Sequence, residues 1–468
     1  MLTGKDLIDA KAQPGPWFAK ALDQANAAIA DGMDPAAALN LALNFAPPPA
    51  LQLRGAGDIA FFENIEANTE FERDNVSAVR RTMATLMRTP VIEAGAVMPD
   101  ACPAGPQGTI PVGGVVASKA IHPGMHSADI CCSMALTNYG RVDPAKLMQA
   151  VAAITHFGPG ERDTALAMPH DLQADIEDQA LLEPHAPVAA KHFGTQGDGN
   201  HFAYVGTLAS SGNTVLVTHH GSRGLGVRLY KTGMALAEKH RKAMSPETLK
   251  ANAWIDPNTA EGEAYWRALQ TVRAWTKANH FVLHDCVREQ LGAQIEDRFW
   301  NEHNFVFQKS DGLFYHAKGA TPAFDGWADD ATDLTLIPLN MREPILITRG
   351  LNANHGLGFS PHGAGRNMSR TAHKKLLGDV PAEIVFARET EGLDARFFCG
   401  RIDVSELPSA YKNAATVRAQ IDQFGLADVV DEVIPHGSIM AGDWEFDAPW
   451  RKKRRAQANA STTDEPSA

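Results

Sequence analysis

Residues 213–226, NTVLVTHHGSRGLG, set a short apolar run against a histidine pair and a glycine-rich turn, and a helical pattern takes over from about Val227. The run reads as a strand that delivers His219 and His220 to a loop, ahead of a helical region reaching about Arg298 with an interruption near Pro257 and Asn258. An imidazole at the mouth of a strand is well placed for coordination.

Working outward, residues from Pro90 to about Phe202 show apolar runs separated by Gly and Pro, as in VIEAGAVMPD and TIPVGGVVASKAI, which predicts strands joined by tight loops. Before them, Val76, Val79, Met83 and Leu86 fall at helical spacing, predicting an amphipathic helix over Arg73–Met87 that ends before Pro90. After them come a strand-rich part from Phe305 to about Ile347 and a helix over Tyr411–Phe424. The pattern predicts an α+β fold of strand-rich parts with flanking helices over residues 71–445. Residues 1–70 read as a helical extension, with alanine-rich segments at Trp17–Asp31 and Asp34–Phe45 ahead of Pro47, Pro48 and Pro49. Residues 446–468, charged and then small and polar, read as a disordered tail whose Arg451–Arg455 run is a solvated segment rather than an RNA contact.

The 468 residues and 44% hydrophobic content suffice for a sizeable core. No apolar stretch approaches the roughly 20 residues that cross a bilayer, and the N-terminus lacks the regions of a secretory signal, so the expected location is the cytoplasm without a membrane partner. Five cysteines at irregular spacing argue for free thiols rather than a disulfide framework. A net charge of -12 opposes diffuse polyanion binding and leaves a local basic groove open.

Polar residues then cluster at predicted strand ends. In HSADICCSM, Asp129 stands three residues before Cys132, a hard oxygen and a soft sulfur that reach one locus from a turn; alone, such a cysteine pair reads rather as buried small hydrophobes, and it needs other ligands to count. GTQGDGNHF sets His201 among Gly194, Gly197 and Gly199, and NEHNFVF adds His303. FSPHGAGRNMSR places His362 against Gly363, Gly365, Arg366 and Arg370, where glycines permit close backbone approach and guanidinium groups match phosphate oxygens. An imidazole there can act as a nucleophile toward phosphorus.

The ordered motifs GTQGDGNHF, HHGSRGLG, HAKGA, HGAGRNMSR and SAYKN resemble those of the RtcB family of RNA ligases, from about Arg73 to Gly442. The resemblance implies one catalytic domain of mixed β-sheets over residues 71–445. It implies a metal-dependent RNA ligase that joins a 3′-phosphate or 2′,3′-cyclic phosphate end to a 5′-hydroxyl end, in RNA repair or tRNA splicing, using GTP and two Mn2+ or another divalent transition metal. It implies Asp129, Cys132, His201, His219 and His303 as metal ligands, with Cys132 bridging, and His362 as the residue that accepts the nucleotide. Asn200, Phe202, Arg223, Lys318, Arg366 and Tyr411 fall at its nucleotide- and phosphate-binding positions.

Several positions depart from the family pattern. Tyr204 stands where the family usually has a Glu that accepts from guanine, and Ala441 where it has a Lys. Leu339–Arg342 replaces a GSMG loop, bringing in a bulky cation, and DACPAGP keeps Asp100 but puts Cys102 where a histidine is usual. Two other readings follow: a divergent phosphoesterase or nucleotidyltransferase with altered nucleotide specificity, and a non-catalytic module that binds RNA ends.

Overall fold

The computed structural model describes residues 1–46 and 50–444; the expected tail at 446–468 lies outside the described residues. The chain separates into two compact units, one comprising Met1–Gln52 with Lys242–Pro246 and the other the rest.

The first unit carries helices Gly4–Asp9, Trp17–Ala30 and Pro35–Leu43. Its buried centre is Leu7 with Ala21, Ala25, Ala38 and Ala42, small side chains that let the helices approach closely. Asp34 starts the third helix by accepting from the Ala36 and Ala37 amides, and Pro35 at the first helical position needs no partner for the N–H it lacks. This unit ends well before residue 70. Residues 61–63 are already a strand of the larger unit.

Among the described residues of the larger unit, the strands form a five-stranded sheet, an eight-stranded sheet and a two-stranded ribbon. The first contains β1 (Phe61–Glu63), β2 (Ile92–Cys102), β3 (Val112–Ser118), β8 (Asn304–Gln308) and β9 (Phe314–Lys318), in the order β1-β2-β3-β9-β8. The second contains β4 (Ser133–Asn138), β5 (Phe202–Leu208), β6 (Thr214–His220), β7 (Asp297–Glu302), β11 (Leu334–Ile337), β12 (Ile345–Gly350), β14 (Asp394–Phe397) and β15 (Ala427–Met440). The ribbon pairs β10 (Ala320–Pro322) with β13 (Phe359–Pro361).

Every residue of β4 and β6 is buried, as expected for central strands covered on both faces. β4 lies between β6 and β7, antiparallel to both, and β5 is antiparallel to β6. The starts of β4 and β5 therefore share one sheet edge with the ends of β6 and β7. That edge is where Cys132, His201, His219 and His303 emerge.

Helix Glu70–Leu86 opens on a capping box between Thr69 and Glu72, close to the predicted bounds. Two expectations change. The span from Pro90 to Phe202 is not all strand and loop: helices Pro144–Ile154, His170–Glu177 and Ala186–His192 interrupt it, the first announced by Asp143 as cap and Pro144 behind it. The long helical region is interrupted around Pro257 and Asn258 as expected, into Arg223–Met244 and Ala260–Leu291, but it ends at Leu291 rather than near Arg298. It stops because Gly292 takes the left-handed conformation at φ 60° and Asp297 begins β7. The last predicted helix is Ala414–Gln423, capped by Asn413, so Tyr411 stands in the extended segment before it.

Candidate active site

The donor residues meet at the edge of the eight-stranded sheet. Cys132 precedes β4, His201 precedes β5, His219 is next to last on β6 and His303 links β7 to β8. The His303 amide donates to the Cys132 carbonyl at 2.9 Å, and Cys131 reaches the Asn304 carbonyl at 2.7 Å, which fastens the junction of the two sheets. Cys132 Sγ lies 3.1 Å from His219 Nε2 and 3.7 Å from His201 Nε2. His219 Nε2 is 3.2 Å from His303 Nε2, and His201 Nε2 is 3.2 Å from Asp129 Oδ2.

Two ligand triads result, Cys132–His219–His303 and Asp129–Cys132–His201, each with its ligand atoms within 4.8 Å of one another and Cys132 in common. The outer ring nitrogens fix the tautomers. His201 Nδ1–H donates to the Gln196 carbonyl at 2.6 Å and His219 Nδ1–H to the Asn200 carbonyl at 3.1 Å, so both present Nε2 lone pairs inward. Burial, with the nearby His201 and His362, lowers His219 to about 3, and burial holds His303 well below the ordinary histidine range. Burial and then the Asp129 carboxylate raise the Cys132 thiol well above its usual value. A dication reverses that last effect by stabilising the thiolate. Converging imidazole lone pairs with a shared sulfur and a carboxylate fit a pair of divalent transition-metal ions.

Adjacent His220 does something different. Strand alternation turns it into the core, where its ring stacks on His280 at 3.4 Å between centroids and 15° between planes.

His362 follows β13. Its Nδ1–H donates to buried Asp100 Oδ2 at 2.6 Å, which leaves Nε2 as the free lone pair, and its ring centre lies 4.9 Å from that of His303. Gly319, at φ 64°, passes so close that a Cβ there would sit 2.9 Å from His362 Cε1.

A cavity of about 290 Å³ joins these groups. Asp129, Cys132, His219, His303 and His362 line it, with Asn200, Phe202, Lys318, Arg366 and Tyr411 of the expected nucleotide set. Lys318 donates to the Ile110 carbonyl at 3.2 Å, and burial lowers its ammonium below the usual lysine range. Arg366 donates to the Ser405 carbonyl at 2.6 Å and to Glu406 at 2.8 Å, with its guanidinium 4.7 Å over the Tyr411 ring. Arg370 holds the other Glu406 oxygen at 2.7 Å. Glu406 escaped the sequence reading. Its only signal is a lone acid in the otherwise apolar and small VSELPSA.

Arg223 is placed elsewhere. Outside the cavity lining, it donates to Thr195 Oγ1 at 3.0 Å and the Gly158 carbonyl at 2.8 Å, pressed under Gly197. The Leu339–Arg342 segment also differs from expectation: Leu339, Asn340 and Met341 line the cavity, but exposed Arg342 turns out and donates to the Glu389 carbonyl at 3.3 Å. Tyr204 presents its ring to the cavity and spends its hydroxyl on the Val433 and Glu343 carbonyls, at 3.1 and 3.3 Å. Ala441 is fully buried in the cluster around Val205 and Leu216.

Fold and site thus define an α+β protein with two potential metal-ligand triads that share Cys132, and a carboxylate-held histidine facing one cavity. Residues 161–441 match the family described as tRNA-splicing ligase RtcB. The chain belongs to the RtcB family. It is 27% identical over 288 residues to the tRNA-splicing ligase RtcB of Thermococcus kodakarensis, covering 53% of this chain and 59% of that protein. It is 29% identical over 256 residues to the RNA-splicing ligase RtcB of Escherichia coli, covering 51% and 59%. Against the Archaeoglobus fulgidus tRNA-splicing ligase RtcB it is 29% identical over 317 residues, covering 57% and 65%. The matches span less than two thirds of each relative. Asp100, Asp129 and Cys132 precede the family match, and the fold brings them to histidines inside it. Among the described residues, no helix is long and apolar enough to cross a membrane.

Proposed function

We propose that this protein is an RNA ligase that joins a 3′-phosphate or 2′,3′-cyclic phosphate RNA end to a 5′-hydroxyl end through a nucleotide carried on His362. The observation that carries this reading is the Asp100–His362 pair beside the two triads. Asp100 fixes the tautomer, so that Nε2 attacks while Nδ1 keeps its proton. Asp129, Cys132, His201, His219 and His303 would hold two Mn2+ or other divalent transition-metal ions, which supply neutralisation of triphosphate charge.

In the transfer, His362 Nε2 forms a bond to the α-phosphorus of GTP or another nucleoside triphosphate as the bond to the bridging oxygen breaks and pyrophosphate leaves. The nucleotide then passes to an RNA 3′-phosphate, freeing His362, and the 5′-hydroxyl displaces nucleoside monophosphate to form the phosphodiester. A cyclic phosphate end is first opened by water. Lys318 adds a cation in the cavity, and Glu406 keeps Arg366 and Arg370 aligned for phosphate oxygens.

The uncharged wall of Tyr204, Leu339 and Met341 favours a second reading, a metal-dependent phosphoesterase that needs no covalent nucleotide. Incubation with Mn2+ and α-labelled GTP or ATP separates the two. Labelled protein that is lost in His362→Ala, together with joining of matched RNA ends, supports the ligase. Phosphate release that persists in His362→Ala without nucleotide supports the esterase.

A further inference from the structure

The lysine of the SAYKN motif has no part in the chemistry above, yet it is tied to it. Lys412 is 5% exposed, and its ammonium donates to the Pro99 carbonyl at 3.0 Å and the Ala101 carbonyl at 2.8 Å. Those carbonyls flank Asp100. They need donors because β2 leaves its ladder here: Val97 pairs with Gly114 and Cys102 with Val112, so Met98–Ala101 bulge out opposite the single residue Gly113.

From this arrangement we infer that Lys412 is a positioning residue, which acts on His362 through the Pro99–Ala101 bulge and the Asp100 carboxylate. The inference rests on reading His362 as the nucleophile.

A merely structural need would be met by a neutral amide, and one is present. Asn75 Nδ2 donates to the same Ala101 carbonyl at 2.9 Å. A buried ammonium is costly to desolvate unless negative charge lies near. Burial lowers the Lys412 ammonium below the usual lysine range, and the nearby Asp100 and Glu72 carboxylates act against that. Asp100 is fully buried and its second oxygen has no hydrogen-bond partner, so the carboxylate that accepts from His362 depends for its placement on the bulge that Lys412 ties down. The clamp closes from the other side as well. Lys412 N donates to the Gly365 carbonyl at 3.0 Å, and Gly365, at φ 69°, lies so close to Asp100 that a Cβ would sit 2.0 Å from its carbonyl oxygen. One residue thereby holds both the HGAGR loop that carries His362 and the bulge that carries its partner.

The test uses the full chain without metal or nucleotide and follows ethoxycarbonylation of His362 by diethyl pyrocarbonate, peptide by peptide, with exposed His170 as internal reference. Lys412→Met is expected to slow His362 relative to His170 by about tenfold, toward the value for Asp100→Asn, as loss of a positioning partner does. A folded Lys412→Met protein with a lowered melting temperature and an unchanged His362 to His170 ratio would overturn the inference. If Lys412→Met does not fold, Lys412→Gln carries the test, since it keeps a donor to the bulge without the charge: a slowed ratio supports the inference and an unchanged one overturns it. Because the probe needs no nucleotide, failure of the wild-type protein to take up labelled GTP or ATP would count against the ligase reading and not against this one.

Discussion

The two ends of the cavity are built on opposite rules. At the metal and histidine end, polar atoms point inward and their second atoms are pinned: His201 on Gln196, His219 on Asn200 and His362 on Asp100. At the wall of Tyr204, Leu339 and Met341, the polar atoms turn outward. Tyr204 gives its hydroxyl to backbone carbonyls, Asn340 Oδ1 accepts from the Arg342 and Glu343 amides, and Arg342 leaves the cavity. The difference teaches that chemistry and recognition diverge separately on one fold. His201, His219 and His362, groups of the proposed chemistry, are each held from behind, whereas the wall offers a ligand shape rather than charge.

The largest effect that would break this contrast is at the nucleophile. His362→Ala is expected to reduce nucleotide labelling by more than about a thousandfold while leaving metal content intact, measured by autoradiography alongside elemental analysis. Retained labelling would place the chemistry elsewhere. Next is the shared ligand: Cys132→Ala is expected to lose metal from both triads, since each needs that sulfur, whereas His303→Ala spares the Asp129–His201 triad.

Acid should act on the buried histidines before it acts on the wall. Burial lowers His122 to about 4 and His284 to about 3, against about 6.5 in the unfolded chain. Between those values the unfolded state takes up protons that the folded state refuses. Stability of the metal-free protein is therefore full above about 6.5 and falls as pH drops toward 4, by up to about 1.4 kcal/mol per pH unit for each such histidine. Urea denaturation at pH 7, 6 and 5 measures it, and a flat profile contradicts the burial of these rings as neutral groups.

The wall should give the smallest effects. GTP and ATP are expected to label the protein within about tenfold of each other, because a charged hydrogen bond worth roughly 1.5–3 kcal/mol is missing from that side. Tyr204→Phe should cost about 1 kcal/mol of stability, from the hydroxyl bonds to Val433 and Glu343, and leave labelling unchanged. A strong GTP preference would collapse the contrast.

The same division governs what could be read from the sequence. His201, His219 and His362 were legible because glycine-rich loops adjoin apolar runs at each, and His303 because it precedes an apolar run; an edge of strand ends gathers three of them. The choice of His219 over His220 was not fixed by composition, since both stand at the end of one strand and only the alternation of β6 assigns them to opposite faces. Glu406 and the reach of Lys412 were hidden because buried charge pairs join positions far apart, as between residue 412 and residues 99 and 101. Arg342 was misplaced because sequence order shows that a cation enters a loop and not which way the loop turns it. The helices between 144 and 192 were missed because the Gly- and Pro-rich texture around them outweighed the caps at Asp143 and Pro144.

The most direct measurement is to incubate the protein with Mn2+ and α-labelled GTP or ATP, digest it under non-acidic conditions and locate the label by mass spectrometry. The account predicts one nucleoside monophosphate on the peptide containing His362, absent in His362→Ala and strongly reduced in Asp100→Asn. A metal-loaded protein that takes up no nucleotide, or carries it on another residue, would contradict it.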